Sequence, residues 1–349
     1  MKAARAVGAV LAVTMAGCAR TEPLLPERLE GLTLDTLHSI EPRAGAPWAA
    51  MTGIWDAALD ADGRLAILDL GGPAVHVFDR TGAHLGSVDQ AGLEPGRIDD
   101  PSGLAWDGPG ALLVWDPGAG WISRFRTRGG SLDFVDRHRA FAFGETGFCA
   151  LDGRRFLSYW QDGLIVHEVG PDGVLRSFGD APAVAGAEAL GADLREIAVE
   201  ELTPSALLCT AAGVLDVGFT QAVVRLHDPD GAPRWERTLE DLRPIVVHTP
   251  DGVGLGRAFD EERGSHVLRS VVPWGASMAL IQHELRMHEG AADAAAPVVE
   301  SRLVRLGDGA EVARSRALPV VLAARGRRLV LVDPGPTPRV TVVELRPEE

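Results

Sequence analysis

The sequence predicts an all-β chain closed into a six-bladed β-propeller, with an N-terminal strand completing the last blade. Three observations carry this prediction. A four-strand unit recurs with the same turn chemistry, the last unit has only three strands, and an alternating segment near the N-terminus can supply the fourth. Composition supports a chain with ample core: of 349 residues, 46% are hydrophobic and 24% charged, which excludes a disordered or fibrous protein. Gly 41 and Pro 23 leave room for many turns.

The first two units are the clearest. Leu59-Asp60-Ala61-Asp62-Gly63-Arg64-Leu65-Ala66-Ile67-Leu68-Asp69 meets Trp106-Asp107-Gly108-Pro109-Gly110-Ala111-Leu112-Leu113-Val114-Trp115-Asp116 at an offset of 47 residues. The same offset brings Val75–Gly82 onto Ile122–Gly129. Apolar runs this short, bounded by turn residues, are strands rather than helices. The second turn of the unit recurs at 78–82, 125–129, 169–173, 227–231 and 305–309, each time ending in Gly. Glycine supplies the positive φ that closes a hairpin, and Asp or Pro seeds the turn. Four-stranded units repeating every ~40–60 residues are the signature of a propeller.

The sixth unit has strands at 319–324, 327–333 and 339–344, after which the chain ends in Arg346-Pro347-Glu348-Glu349. Leu32-Thr33-Leu34-Asp35-Thr36-Leu37-His38-Ser39-Ile40 alternates as a strand should and would remove the exposed edge. The expected blades are 48–88, 97–139, 140–178, 200–239, 266–316, and 317–345 with 31–40. The stretch Gly96-Arg97-Ile98-Asp99-Asp100-Pro101-Ser102-Gly103-Leu104-Ala105-Trp106-Asp107 resembles the NHL repeat. That resemblance is good in the second blade and moderate in the first; it speaks for fold and assigns no function.

Residues 1–17 read as an export signal. Lys2 and Arg5 form a basic start, Ala6–Ala16 is apolar, and the stretch is too short to span a bilayer. Met15-Ala16-Gly17-Cys18 resembles a bacterial lipobox, with Met where Leu is usual. The resemblance implies a lipidated Cys18, a mature chain starting there, and attachment to the cell envelope. Because Ala19 rather than Asp follows the cysteine, it also implies passage to the outer membrane, facing periplasm or surface, if the source is a diderm. Residues 18–30 read as a polar, proline-containing tether and 31–349 as the propeller.

Charge and composition exclude several functions. The mature chain carries 32 basic against 49 acidic residues, so it has no cationic surplus for nucleic acid. Asn is absent, which removes the Asn-dependent metal site of the gluconolactonase-like propellers. No HExxH, GxSxG elbow or phosphate loop occurs, so neither catalytic residues, metal nor cofactor are assigned. Asp69, Asp116 and Asp333 end second strands and are read as acceptors for loop N–H groups. Cys149 and Cys209 hold equivalent positions on neighbouring inner strands. They are expected as two buried free thiols, with a disulfide as the alternative, because inner strands usually lie too far apart for a bridge.

Tryptophan numbers eight against one tyrosine. Trp55, Trp106 and Trp115 fall in strand patterns and are expected in the core. Trp48, Trp121 and Trp160 are placed in loops. Trp121 and Trp160, with Arg97, His138 and Arg139 in connections between blades, are the candidate ligand contacts. Segments 179–200 and 240–265 read as irregular insertions. The functional expectation is a monomeric, envelope-anchored binding module for a protein, peptide or glycan. The runner-up is a hydrolase or lyase with an Asp/His site in the channel.

Overall fold

Alternating apolar strands joined by tight, glycine-bearing turns can bury both faces only by packing sheet against sheet, and a ring of blades does this without open edges. The computed structural model describes residues 25–128, 131–140, 147–249, 256–258, 264–286, 298–333 and 338–346. Strand β1 (Leu34–Ile40) comes first but belongs to the last blade. Blade one is β2 (Ile54–Leu59), β3 (Leu65–Asp69), β4 (Ala74–Phe78) and β5 (His84–Val88). Blade two is β6 (Gly103–Trp106), β7 (Ala111–Asp116), β8 (Trp121–Arg128) and β9 (Ser131–Arg139). Blade three is β10 (Phe148–Leu151), β11 (Arg154–Gln161), β12 (Leu164–Gly170) and β13 (Gly173–Asp180).

Helix α1 (Ala192–Leu202) leads into blade four: β14 (Ser205–Thr210), β15 (Gly213–Gly218), β16 (Val223–His227) and β17 (Pro233–Thr238). A hairpin of β18 (Val246–His248) and β19 (Gly256–Ala258) precedes blade five: β20 (Ser265–Trp274), β21 (Met278–Arg286), β22 (Val298–Arg305) and β23 (Glu311–Ser315). Blade six is β24 (Val320–Arg325), β25 (Arg328–Asp333), β26 (Arg339–Leu345) and β1. Six antiparallel four-stranded blades make a six-bladed β-propeller, as expected. The inner strands β2, β6, β10, β14, β20 and β24 abut in ring order.

Closure follows the predicted pairing of the N-terminal strand with the last one. β1 pairs with β26 from Leu34 opposite Leu345 to Ile40 opposite Val340. Each blade also carries a polar clasp between its third and fourth strands. His76 Nδ1 lies 2.7 Å from Ser87 Oγ, and His167 Nδ1 2.7 Å from Ser177 Oγ. Arg124 pairs with Asp136, Arg225 with Glu236 (2.7 Å) and Arg302 with Glu311 (3.0 Å). Ser39 Oγ and Thr341 Oγ1 complete the set at 3.3 Å. Cross-strand pairs of this kind hold an outer strand whose far edge faces water.

We call the face carrying the blade-to-blade connections the upper face; the turns between first and second strands form the lower one. Residues 25–33, which the sequence reading assigned largely to a tether, are packed on the lower side of blades five and six. Leu25 and Leu29 are buried beside Trp274, Met278 and Leu345, and Trp274 Nε1 donates to Pro26 O at 2.9 Å. Arg346 N–H donates to Thr33 O at 3.0 Å. The insertions are not irregular either. Val184, Ala187, Leu190, Ala198 and Leu202 of the first pack with Val247 of the second, and Val247 N–H donates to Ala185 O at 2.9 Å.

The free-thiol expectation is overturned. Cys149 and Cys209 form a disulfide with Cα atoms 5.6 Å apart, inside the range a bridge requires. β10 and β14 abut, and Cys209 borders the lower mouth, so equivalent positions on these neighbouring blades lie within bonding reach.

Candidate functional site at the upper channel mouth

Each inner strand begins on the upper face and runs down the channel. Regular pairing would alternate its side chains between the two faces of the blade, and three inner strands break that alternation. In β2, Ile54 faces Asp69 and Asp56 faces Leu68, leaving Trp55 as the extra residue of a bulge. In β20, Leu268 faces His283 and Ser270 faces Gln282, leaving Arg269 extra. In β24, Val321 faces Leu331 and Ala323 faces Val330, leaving Leu322 extra. Bulges re-aim side chains. Here all three extra residues, from adjacent blades five, six and one, line a single cavity of about 420 Å³.

The remaining wall is mixed. Phe148, Phe219 and Ile245 give it apolar surface, the last from the segment that also carries β18. Trp55, expected in the core, is 36% exposed and donates from Nε1 to Ser102 O at 3.2 Å. The Asp56 carboxylate accepts the Ala57 and Leu104 N–H groups, each at 2.8 Å, and so ties blade one to blade two. Desolvation outweighs these two bonds and pushes its pKa up to about 6. Arg269 is half-buried, and among the described residues its guanidinium makes no hydrogen bond and no ion pair. Burial lowers its pKa, with Glu284 opposing the effect. Glu284 itself is engaged by Arg286 at 3.2 Å.

The lower mouth is a larger cavity, about 750 Å³, walled by the turns of all six blades. Two of its four ionisable groups, Asp60 and Asp107, are already engaged. Asp60 Oδ1 accepts the N–H groups of Asp62 and Arg64, and Asp107 lies 3.9 Å from Arg155. The wall is otherwise mostly Ala and Gly.

The residues singled out from sequence lie elsewhere on the upper face. Arg97 is exposed in the loop before blade two and pairs with Glu94 at 3.4 Å. Trp121 and Trp160 stand in strands β8 and β11, not in loops; His138 and Arg139 end β9 rather than connect blades. Trp121 pairs across strands with Arg139 and carries the Arg137 guanidinium 4.0 Å above its ring. His138 Nε2 lies 3.6 Å from Asp136, and burial together with Arg155 lowers its pKa. Trp160 is half-buried against the core of blades three and four. None of the five lines the channel cavity. Cys18 lies outside the described residues.

The Asp and His side chains noted from sequence are, among the described residues, engaged within the fold. Asp69 accepts N–H bonds from Gly53 (2.7 Å) and Gly71 (3.0 Å), and Asp116 from Asp99, Asp100 and Ala119, so both hold loops as expected. Ser87 Oγ sits between His76 (2.7 Å) and His84 (2.8 Å). The first of these contacts is the clasp that blade three repeats, and a role in every blade is structural. No group of three His, Cys, Asp or Glu able to hold a metal occurs among the described residues, nor does any helix among them long and apolar enough to cross a membrane.

The sequence reading missed Trp55, Asp56 and Arg269 as a group because a bulge is a property of pairing and leaves little trace in one strand. The available signal was the adjacency of Trp55 and Asp56 at the start of an inner strand.

No protein-family model matches the chain, and no curated protein matches it in sequence. Solved structures do resemble it. A Bacteroides fragilis protein described as exported superposes with a TM-score of 0.55 at 9% identity, covering 90% of this chain and 96% of its own. A member of the DUF4221 family from Bacteroides vulgatus gives 0.53 at 8% identity, covering 91% and 99%. The WD40 domain of Neurospora crassa Pan2 gives 0.51 at 9% identity, covering 93% and 99%. Similarity at these identities concerns the fold alone.

Proposed function

We propose that this propeller, NHL-like in its blades, is an exported lipoprotein of the bacterial cell envelope that binds a protein, peptide or glycan on its upper face. The observation that carries the reading is the convergence of three bulges on one cavity, which brings Trp55, Arg269 and Leu322 together. Concave, mostly apolar sites with a few polar groups are the usual form of a ligand pocket. Arg97, Trp121, His138, Arg139 and Trp160 extend the contact surface around the mouth. The lipobox at Met15-Ala16-Gly17-Cys18 and the description of one structural neighbour as exported support the location.

Two measurements test this. Cys18→Ser should move the mature chain from the membrane fraction to the soluble one; unchanged partition into detergent ends the anchor. Immobilised protein should capture a partner from native envelope less well after Trp55→Ala, or after Trp121→Ala with Trp160→Ala, while melting stays near wild type. Full capture by the triple variant sinks the binding face.

A second reading rests on Asp56. A carboxyl group with a pKa about 6, at a cavity wall, is tuned for general acid–base work. Turnover of a lactone, ester or peptide by purified protein, abolished by Asp56→Asn, would replace binder with hydrolase or lyase.

A further inference from the structure

The geometry points to a monocarboxylate with an apolar body as the ligand of the upper mouth, its carboxylate held by Arg269 and its body laid against Trp55, Phe148 and Leu322. This rests on the reading of that mouth as a binding site. The four residues line one cavity of about 420 Å³, within the usual size range of small-ligand pockets.

Charge decides the class. A half-buried guanidinium has lost much of its hydration, and that loss is ordinarily offset by a carboxylate partner. Arg269 has no such partner among the described residues: Glu284, whose charge acts on it, forms its ion pair with Arg286 instead. Two arginines therefore share one glutamate, and the Asp56 carboxylate on the same wall is spent on the Ala57 and Leu104 N–H groups, so the Arg269 guanidinium stands without a bonded anion. Arg269 is the extra residue of the β20 bulge and lines this wall together with its neighbours Leu268 and Ser270. The guanidinium fork suits a carboxylate because two parallel N–H donors match its two oxygens.

The apolar half of the ligand is equally constrained. Trp55 presents indole surface to the mouth although its Nε1 is already bonded to Ser102 O, so the ring offers stacking and not a further hydrogen bond. Phe148 and Leu322 come from blades three and six, opposite one another in the ring, and line the same cavity as Arg269. A neutral sugar would leave the guanidinium without its ion pair. A simple inorganic anion would leave the aromatic wall uncovered.

The test uses the full mature chain and two acid–amide pairs: 3-phenylpropionate with 3-phenylpropionamide, and acetyl-Ala-Phe acid with its C-terminal amide. Binding is read by titration calorimetry and by tryptophan fluorescence. Each acid should bind about tenfold or more tightly than its amide, the advantage of a charge-assisted bond over a neutral one. Arg269→Gln should erase the difference with little change in melting temperature, and Arg269→Lys should keep part of it. Whichever acid binds tighter identifies the source, a free small acid or a peptide C-terminus. Equal binding of acid and amide, lost in Trp55→Ala, overturns the carboxylate while leaving the mouth a binding site. Failure of all four probes at millimolar concentration overturns both.

Discussion

His283 lies in the second strand of blade five, 2% exposed, opposite Glu300 across the sheet and close to Arg302 and His266. Burial first, then the positive charge of Arg302, holds its pKa at about 3 against an unfolded value of 6.5. The folded chain therefore prefers the neutral ring. The stabilising contribution is fully present above pH 6.5 and is lost as pH falls towards 3, because the unfolded chain takes up the proton earlier. His76 and His167, also lowered by burial, act in the same direction. Melting temperature should thus fall on acidification, and His283→Gln should make that fall shallower between pH 6.5 and 3. An unaltered acid limb would show that His283 titrates normally. The same environment explains why the ten histidines gave no site from sequence: the buried ones serve clasps (His76, His167), bonds within the fold (His227 to Asp216, His266 to Arg243 N–H) and packing, and none of that is visible without pairing partners.

At the scale of the strand, β1 is the element most exposed to test. Its outer edge has no neighbour in the blade order, and its inner edge is held by β26, the Ser39–Thr341 clasp and the Asp35–Arg346 ion pair. The pair is exposed and adds little; the ladder and the buried Ile40 hold the strand. Removing residues up to 40 opens the edge of β26 and should cost several of the ~5–15 kcal/mol by which domains are stable, read as a lower melting midpoint and as concentration-dependent association. A midpoint equal to wild type would mean the ring does not need its closing strand. This element was legible from alternation and from the three-strand count of the last unit. The bulges in β2, β20 and β24 were not, because one additional residue leaves the apolar pattern of a short strand almost intact.

The ring as a whole is drawn together at chosen seams. Cys149–Cys209 joins blades three and four; Ser158 Oγ meets Ser205 Oγ at 2.9 Å along the same seam. Gln282 spans blades five and six, accepting Val321 N–H at 2.7 Å and donating to Pro319 O at 2.9 Å. Denatured, non-reduced protein should show neither Cys149 nor Cys209 as a free thiol, and Cys149→Ala with Cys209→Ala should cost about 2–4 kcal/mol, the usual worth of a bridge over such a loop. Recovery of both thiols would refute the bridge. On the upper face, Val247→Asp should place an unpaired charge between the two insertions and speed amide exchange in α1 without disturbing the blades. Uniform exchange across the molecule would show that the insertions do not fold as a local unit. Their packing was hidden from the sequence because the segments are far apart in the chain, and an Ala- and Gly-rich composition reads as loop until a partner surface is known.

The packing of residues 25–33 has a consequence for which way the molecule looks. With Leu25 and Leu29 buried and Pro26 bonded to Trp274, the chain emerges at the lower rim. Six residues lie between Cys18 and Leu25, a leash of at most about 25 Å even when drawn straight. A lipid on Cys18, as proposed, would therefore hold the 750 Å³ lower mouth against the bilayer and turn Trp55 and Arg269 outward. So anchored, the protein would present its proposed site to the aqueous side and not to the membrane.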